Sequence, residues 1–488
     1  MRSSREPSGR SAFSPSHPAR CVPTTSPTSS GSRSPTGKQP SRKGERMTIS
    51  RKMTALAAAL AVALGSATYA AATLKRADAP QPIRIGIVSF LTGAAAAPFG
   101  IPAQDAAKLL IDRLNKGKVP APYNIRGFGG HRLQAVYVDE AGGASQAVSN
   151  YRQLVQSQNV DLVIGYISSG DCLALAPVVE ELKKFTIFFD CGTSSLFQKP
   201  LAYGFRTAGD QANDAIAAAR YVLTVKGKSN VQSIAGINQN YAWGQDNWKT
   251  FSEAMKVLNP DVDVKSSLFP TLFSGQYSTE ISRILSDQAT VTYSSFWGGD
   301  LDSLLQQGIP RGLGQATQLI LSTADTALPE FGSRFPAGII VGARGPHGAL
   351  APEDNALNQW FVGEYQKAYG KVPVYPAYHM AQAILGAKAS YELAMKKFKT
   401  ASPTEKQWRA KLRGLTFDTP SGKISMTRAL GHQAIEGSAY GISDGYDAKL
   451  GRVKLTKVIR YSPKCLTAPP GFFLYDWIAR GFPGATCP

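Results

Sequence analysis

The stretch DLVIGYISSGDC, residues 161–172, decides the fold class. Its residues 162–165 are apolar or small, which indicates a short buried strand, and the chain then runs directly into the polar residues SSGD. The segment LALAPVVEELKK follows at once with a helical pattern. A buried strand that passes through a few small polar residues into a helix is typical of one strand–helix unit of an α/β sheet.

The same unit repeats along the chain on both sides of this stretch. Further strand patterns, separated by helical stretches, are IRIGIVSF, RLQAVYVD, KFTIFF, VQSIAGI, ATVTYSSFW, ATQLILST and AGIIVGA. In AQDAAKLLIDRLNK the side chains of Ala106, Leu109 and Leu110 fall on one helical face, and SQAVSNYRQLVQS begins at Ser145, a residue type favoured at helix N-caps. Strands that alternate with helices predict an α/β fold of doubly wound parallel sheets.

Ser168, Ser169, Gly170 and Asp171 lie at the predicted carboxyl end of their strand. Ligands of doubly wound sheets bind at this end of the strands. Hydroxyl groups and the free N–H groups of the following helix suit an anionic group such as a carboxylate. The alternative, equally open from these residues alone, is that Ser169 serves only as the N-cap of that helix.

Small polar, aromatic or acidic residues also follow several other predicted strands. They are Gly192, Thr193, Ser194, Tyr241, Trp243, Asp300 and Asp325. Each has another explanation when taken alone, since Trp243 could belong to the core and Asp300 could cap a helix. Their recurrence at the same end of successive strands predicts a cleft that binds a small molecule.

Five segments resemble the type I periplasmic solute-binding proteins of ABC importers, in the leucine/isoleucine/valine-binding group. In the order found in that family they are GIVSFLTGAAAAPFG, VYVDEAGGASQAVSNYRQLV, DLVIGYISSGDCLALAPVVEE, FRTAG and NYAWGQD. The resemblance covers residues 83–462 and implies two α/β lobes joined by three hinge crossings, with the ligand held between the lobes.

The resemblance also implies where the lobes begin and end. Lobe 1 would comprise residues 83–207 and 345–422, lobe 2 residues 208–344 and 426–461, with hinge crossings near 207–210, 342–345 and 421–426.

Site residues are implied in the same way. In the family a serine after the VIG strand and a Gly-x-Ser/Thr loop hold the carboxylate and ammonium of an amino acid, and these positions match Ser169, Gly192 and Ser194. An aromatic residue on the first loop matches Phe99, although this loop is longer than in the branched-chain binders. Trp243, with Tyr241 beside it, matches the aromatic residue of the second lobe.

The acid that would pair with a ligand ammonium has two candidates, Asp300 and Asp325. Asp171 is an additional acid in the predicted pocket. The ligand is therefore expected to be an amino acid or a related carboxylate, with its identity left open.

The N-terminal part of the sequence has a different composition. Residues 1–46 are rich in Ser, Pro, Gly and Arg, so we expect them to be disordered and to come from a start codon assigned too early. Residues 47–72 have the charged, apolar and small-residue order of a secretory signal peptide. No cysteine lies directly after the apolar run, up to residue 72. We therefore expect an exported, soluble periplasmic protein without a lipid anchor.

The net charge and the cysteines limit the partners and the compartment. Residues 1–72 hold 11 of the 54 bases and two of the 34 acids, so the remainder carries +11 of the total +20, without a basic run for nucleic acid. Beyond Cys21 there are four cysteines, an even number that favours disulfides in an exported protein. The predicted pairs are Cys172 with Cys191, and Cys465 with Cys487, the latter stapling a tail of residues 462–488.

Three other motifs carry less weight. GISDG, residues 441–445, fits the esterase pattern around Ser443, but a hairpin-like strand and no histidine follow, so we interpret it as a polar turn. His131, His347, His379 and His432 are scattered without metal-ligand spacing, so no metal site is expected. GFGG precedes a strand and is interpreted as a turn.

The sequence thus predicts a non-enzymatic, monomeric binding protein without a cofactor. It would capture a small polar solute by lobe closure and present it to a membrane permease. Two alternatives stay open: a sensor of the same fold for an amide, urea or aromatic carboxylate, and an exported α/β hydrolase that uses Ser443.

Overall fold

The computed structural model describes residues 80–449 and 452–488. The predicted disordered segment and signal peptide, residues 1–46 and 47–72, lie outside the described residues. Among the described helices, none combines the length and apolar composition that a membrane span requires.

The described strands fall into two sheets. In chain order they are β1 Ile83–Ser89, β2 Leu133–Asp139, β3 Leu162–Gly165, β4 Thr186–Phe188, β5 Gly204–Arg206, β6 Ser233–Ile237, β7 Asp263–Leu268, β8 Val291–Ser294, β9 Gln318–Leu321, β10 Ile340–Gly342, β11 Thr416–Thr419, β12 Gly422–Arg428, β13 Gln433–Ile435, β14 Ser438–Asp447 and β15 Arg452–Tyr461.

Helices connect most of these strands and cover the sheets. They are α1 Ile101–Asn115, α2 Gly143–Gln156, α3 Ser169–Leu182, α4 Gln211–Lys226, α5 Ala242–Leu258, α6 Ser278–Asp287, α7 Gly299–Gly308, α8 Leu313–Ala316, α9 Leu328–Phe331, α10 Ala356–Tyr369, α11 Tyr375–Phe398, α12 Glu405–Leu412, α13 Pro463–Leu466 and α14 Leu474–Ala479.

The predicted α/β fold with two lobes is confirmed, but the sheets are mixed. The first sheet has the strand order β11-β12-β13-β5-β4-β3-β1-β2, and the second has β15-β14-β10-β9-β8-β6-β7. The strands from the repeated strand–helix units pair in parallel, whereas the β11–β12, β12–β13, β10–β14 and β14–β15 pairs are antiparallel. The β11–β12, β12–β13 and β14–β15 pairs are joined by short connections and so run antiparallel, and the prediction of parallel sheets did not include them.

Two strands in the middle of the sheets are buried along their whole length. All four residues of β3 and of β8 are buried, because a parallel strand in the middle of a sheet has helices on both faces. One helix boundary differs from prediction. Helix α2 begins at Gly143 and not at the predicted cap Ser145, because Gly142 adopts φ +111° at the N-cap position, a conformation that glycine accepts readily.

The chain crosses between the two sheets three times. It enters the second sheet after β5, returns after β10, and enters the second sheet again between β13 and β14, at residues 436–437. The prediction placed this last crossing at 421–426. Residues 422–435 instead form β12 and β13 of the first sheet, because Ile424 and Met426 are buried in the core of the first lobe.

Glu436 connects the three crossings. Its carboxylate accepts hydrogen bonds from the backbone N–H of Gly209 (3.1 Å) at the first crossing and from Gln382 (2.6 Å). The same carboxylate lies 3.1 Å from Nε2 of His347, just beyond the second crossing. The segments that connect the two sheets thus meet at a single buried side chain.

Both predicted disulfides are confirmed. Cys172, on α3, is bonded to Cys191, in the loop after β4, and Cys465 on α13 is bonded to Cys487 near the C-terminus. The tail enclosed by the second bridge places Trp477 in the core of the second lobe.

Candidate functional site

A small cavity lies between the two sheets, at the carboxyl ends of their parallel strands. Its lining comes from loops after β1, β3, β4, β6, β8 and β10, and from the start of α11. The lining residues are Phe99, Ile167, Ser169, Gly192, Tyr241, Trp243, Trp297, Arg344 and Tyr375. Five of the eleven side chains or glycines expected from the sequence are therefore brought together here: Phe99, Ser169, Gly192, Tyr241 and Trp243.

Ser169 is not the helix cap. Ser168 takes the N-cap position of α3, where its hydroxyl accepts from the N–H of Asp171 at 3.4 Å. The Ser169 hydroxyl accepts from the N–H of Thr193 at 3.2 Å, so its own hydrogen remains available to donate toward the cavity. Gly170 is not part of the lining but lies behind it, near the ring of Tyr241.

Glu140, which the sequence did not indicate, holds the loop that carries Ser169. Its fully buried carboxylate accepts from the N–H groups of Ile167 and Ser168, both at 2.8 Å. Burial raises the pKa of Glu140 well above its ordinary value, and the nearby Asp171 adds to the effect. Burial likewise raises the pKa of Asp171 to about 6, and this side chain does not line the cavity.

Gly192 permits two side chains from the other side of the cleft to approach. A Cβ atom at this position would lie 2.3 Å from Cζ3 of Trp243 and 2.6 Å from Nη2 of Arg344. Both distances are shorter than any van der Waals contact, so a larger residue would displace one of the two side chains.

We therefore expect Gly192→Ala to weaken ligand binding by more than about tenfold, at a cost in folding stability of about 1–3 kcal/mol. Calorimetric titration and urea unfolding measure the two effects. The matched control is Gly363→Ala on the exposed face of α10, where a Cβ meets nothing within 4 Å. Equal affinities of Gly192→Ala and the parent protein would contradict the close approach.

Thr193 and Ser194 bond to protein groups and do not line the cavity. The hydroxyl of Thr193 donates to Asp246 on α5, at 2.7 Å, and so joins the first lobe to the second. The hydroxyl of Ser194 accepts from Gln211 at 3.1 Å. The backbone N–H of Gly299 also donates across the cleft to the carbonyl of Ala94, at 2.8 Å. These contacts show a closed arrangement of the lobes.

Removing one contact between the lobes should shift the protein toward the open form. We expect Asp246→Ala to weaken ligand binding by about three- to tenfold, because it removes one hydrogen bond to a charged group that exists only when the lobes are closed. Calorimetry measures the change. Asp261→Ala, on the exposed surface of the same lobe, should bind as the parent does. No loss in Asp246→Ala would show that this contact does not contribute to closure.

The aromatic walls of the cavity are held by hydrogen bonds and by one another. Nε1 of Trp243 donates to the carbonyl of Ser295 at 2.8 Å, and Nε1 of Trp297 donates to the hydroxyl of Tyr241 at 2.7 Å. The Phe99 ring meets Trp297 edge-on, with centroids 5.2 Å apart. It meets Tyr375 in the same way at 5.3 Å. A flat apolar ligand would find preformed aromatic faces here.

Arg344, which the sequence did not indicate as a site residue, is the cation of the cavity. It follows β10 at the second crossing, with φ +49°, and is 6% exposed. Its Nη1 donates to the carboxylate of Asp190 at 2.5 Å and to the carbonyl of the same residue. Its guanidinium lies 4.6 Å from the ring of Trp243, within the range of a cation–π contact.

Asp300 and Asp325, the candidates for pairing with a ligand ammonium, are bonded to the protein and do not line the cavity. Asp300 accepts from Gln239 (2.9 Å) and from the N–H of Phe273 (2.8 Å). Asp325 accepts from the N–H of Ala349 (2.7 Å) and from the N–H of Tyr375 (2.8 Å) at the start of α11. Asp325 thus helps to position Tyr375, which lines the cavity. Among the described residues, no Asp or Glu lines this cavity.

The other sequence motifs fall outside the cavity. Ser443 is buried in β14, and its hydroxyl donates to the carbonyl of Pro336 (2.7 Å) and accepts from the N–H of Ile339 (2.9 Å). The polar turn expected there is wrong, since residues 441–445 belong to a strand whose tip is exposed. GFGG forms the expected turn.

Two histidines expected to be scattered are brought together by the fold. His347, His379 and Glu436 place ligand-capable atoms within 4.8 Å of one another. Nδ1 of His379 contacts Asp190 at 2.6 Å. Nδ1 of His347 contacts Ser421 at 2.5 Å, and its Nε2 faces Glu436. Long-range packing around the crossings, which sequence spacing cannot show, creates this cluster.

The comparisons with known proteins point to a single family. The family model described as periplasmic binding protein matches residues 82–441. The Leu/Ile/Val-binding protein BraC3 of Rhizobium johnstonii is 26% identical over 227 residues, which are 46% of this chain and 57% of that protein. The leucine-specific-binding protein of Salmonella typhimurium is 24% identical over 47% of this chain and 58% of its own length. The chain thus spans somewhat more than half the length of these curated relatives.

Solved structures show the same fold at low sequence identity. The solute binding protein of an ABC transporter from Rhodopseudomonas palustris BisB5, in complex with 3,4-dihydroxy benzoic acid, is 17% identical with a TM-score of 0.65, over 78% of this chain and 97% of that chain. The leucine binding protein LivK from Thermotoga maritima MSB8 is 18% identical with a TM-score of 0.62, over 77% and 98% of the two chains.

Proposed function

This chain belongs to the family of periplasmic binding proteins, and from that membership we propose that it captures a small carboxylate-bearing solute between its lobes for an ABC importer. The loaded, closed form would then be presented to a membrane permease in the periplasm. We further propose that the protein acts as a monomer, needs no cofactor and carries out no chemical reaction on its ligand.

The observation that carries this proposal is the cavity shared by both lobes. Ser169 and Gly192 come from the first sheet, and Tyr241, Trp243 and Trp297 come from the second. A ligand that contacts both sets of residues favours the closed form, which is the basis of hinge closure around a solute. An esterase function has no such support, because the buried Ser443 hydroxyl donates its hydrogen to the carbonyl of Pro336 and accepts from the N–H of Ile339.

The ligands named for similar proteins support a carboxylate. Structural relatives from Rhodopseudomonas palustris were solved with benzoate and with 4-hydroxybenzoate, and the curated relatives are binding proteins for leucine, isoleucine and valine. All of these ligands contain a carboxylate. They differ in whether an ammonium group is present beside it.

Ligand screening tests the proposal. The purified protein is heated with amino acids, aromatic acids, amides and ureas, and its unfolding temperature is recorded. A ligand at 100 times its Kd should stabilise the folded state by about 2.7 kcal/mol. Deletion of the gene should abolish uptake of the same ligand, whereas a sensor would leave uptake intact. Failure of every carboxylate to stabilise the protein would overturn the proposal.

Export is part of the same proposal. The protein recovered from the periplasm should begin near residues 71–73, since residues 47–72 have the order of a signal peptide. N-terminal sequencing checks this expectation. A periplasmic protein that still carries residues 1–46 would contradict it.

A further inference from the structure

The cavity contains a buried cation whose hydrogen-bonding capacity is only partly used. Nη1 of Arg344 donates to Asp190. Nε and Nη2 meet no acceptor in good hydrogen-bond geometry among the described residues, although the Tyr375 side chain and the Asp214 carboxylate lie close enough to interact with the guanidinium. A buried donor without an acceptor is costly, and the cost is greater for a charged group. An unpaired buried donor in a native structure needs an explanation, and a bound group that supplies the missing acceptor is one.

The guanidinium belongs to the wall of the cavity. Arg344 is a lining residue, and its Nη2 lies close to Gly192, where the Trp243 ring also approaches. The Tyr375 ring is 5.9 Å from the guanidinium carbon, and burial raises the pKa of this phenol well above its ordinary value. Tyr375 therefore stays protonated and can donate a second hydrogen bond to the same acceptor.

The charges around Arg344 leave it cationic toward the cavity. Burial alone would lower its pKa, but the combined effect of Asp190, Tyr375 and Asp214 outweighs burial and raises it. Asp214 on α4 lies 4.0 Å from Nε, and burial raises the pKa of this acid to about 7. Asp190 is shared with His379 at 2.6 Å. Neither Asp190 nor Asp214 is among the lining residues of the cavity.

The same arrangement disfavours an ammonium group. The lining residues of this described cavity include one cation and no carboxylate. An ammonium brought into the cavity would be repelled by Arg344, and it would lose its hydration without gaining a counter-ion. Asp300 and Asp325 have their oxygens turned toward protein donors instead.

We propose that the ligand is a small carboxylic acid without an ammonium group, bound through its carboxylate to Nη2 of Arg344 and through a flat apolar body to the aromatic walls. This inference rests on the proposed function and specifies its ligand. The cavity is small in this closed arrangement of the lobes, so a compact acid is the expected ligand. Arg344 and Tyr375 contact the carboxylate, and Trp243 and Trp297 contact the ring.

Calorimetry with matched pairs of ligands tests this class on the unaltered protein. The pairs are 3-phenylpropionate with phenylalanine, 4-methylpentanoate with leucine, and benzoate with benzamide. Within the first two pairs only the ammonium differs, and in the third an amide replaces the carboxylate. We expect at least one acid to bind at least about 100-fold more tightly than its partner.

Each outcome separates the two proposals. If phenylalanine or leucine binds as tightly as the corresponding acid, the ligand class is wrong while the binding function stands. If benzamide binds as tightly as benzoate and no other acid exceeds its partner, the role of Arg344 is wrong. If none of the six compounds binds, the ligand class is overturned, and the proposed capture function is overturned with it only if no carboxylate of the wider thermal screen stabilises the protein.

Discussion

Replacing Arg344 with glutamine should weaken binding of a carboxylate ligand by about two orders of magnitude or more. Truncating one partner of a buried charge pair costs about 2–5 kcal/mol, and here the other partner is the ligand. The variant should also lose folding stability, because Asp190 would keep its buried charge without its guanidinium partner. Calorimetry measures the affinity, and circular dichroism checks that the variant is folded at that temperature.

Two further variants separate the role of Arg344 in binding from its role in folding. Arg344→Lys keeps the positive charge but cannot hold Asp190 and the ligand at the same time with a planar fork, so we expect an intermediate affinity. Arg334→Gln makes the same substitution as the test variant at an exposed position and should leave binding unchanged. If folded Arg344→Gln binds the acid with parental affinity, the guanidinium does not contact the ligand.

Removing the Cys172–Cys191 bridge should reduce both stability and affinity. The bridge closes a loop with a sequence separation of 19, so its loss in the Cys172→Ala/Cys191→Ala variant should cost about 3 kcal/mol of unfolding free energy. It also joins the segment that carries Ser169 to the segment that carries Gly192. Without it, these two parts of the cavity must be ordered by the ligand, which lowers affinity.

The second disulfide provides the matched control. The Cys465–Cys487 bridge has a similar sequence separation of 22 but ties down the tail and does not line the cavity. Cys465→Ala/Cys487→Ala should therefore lose similar stability in urea and keep its ligand affinity. If the two double variants bind equally well, the first bridge does not preorganise the site.

The site residues that could be predicted from the sequence are those that directly follow recognisable strands. Ser169, Gly192 and Trp243 were found because each comes a few residues after an apolar run whose carboxyl end must face the cleft. Trp297 follows the strand β8 in the same way and carried the same signal. Arg344 also follows a strand, but that position was assigned only to a hinge crossing.

Other features could not be inferred from local patterns. Tyr375 reaches the cavity from a helix that begins after the chain has returned to the first lobe, so only the tertiary arrangement places it there. Asp300 and Asp325 do lie at strand ends, but their oxygens bond to backbone N–H groups. Sequence patterns indicate where a strand ends and do not indicate the direction in which an acidic side chain turns.

The third crossing was misplaced for a similar reason. β13 has only three residues, Gln433–Ile435, and a strand of this length carries no periodicity that could assign it to a lobe. Its pairing with β5 and with β12 keeps it in the first sheet.

A crystal structure of the protein with benzoate bound tests the central claim most directly. We predict a carboxylate oxygen of benzoate at hydrogen-bond distance from Nη2 of Arg344, about 2.7–3.2 Å. The benzoate ring should lie against Trp243 or Trp297. The lobes should remain closed over it. A benzoate whose carboxylate lies away from Arg344, or a cleft that takes up an amino acid while it stays empty in saturating benzoate, would contradict the account.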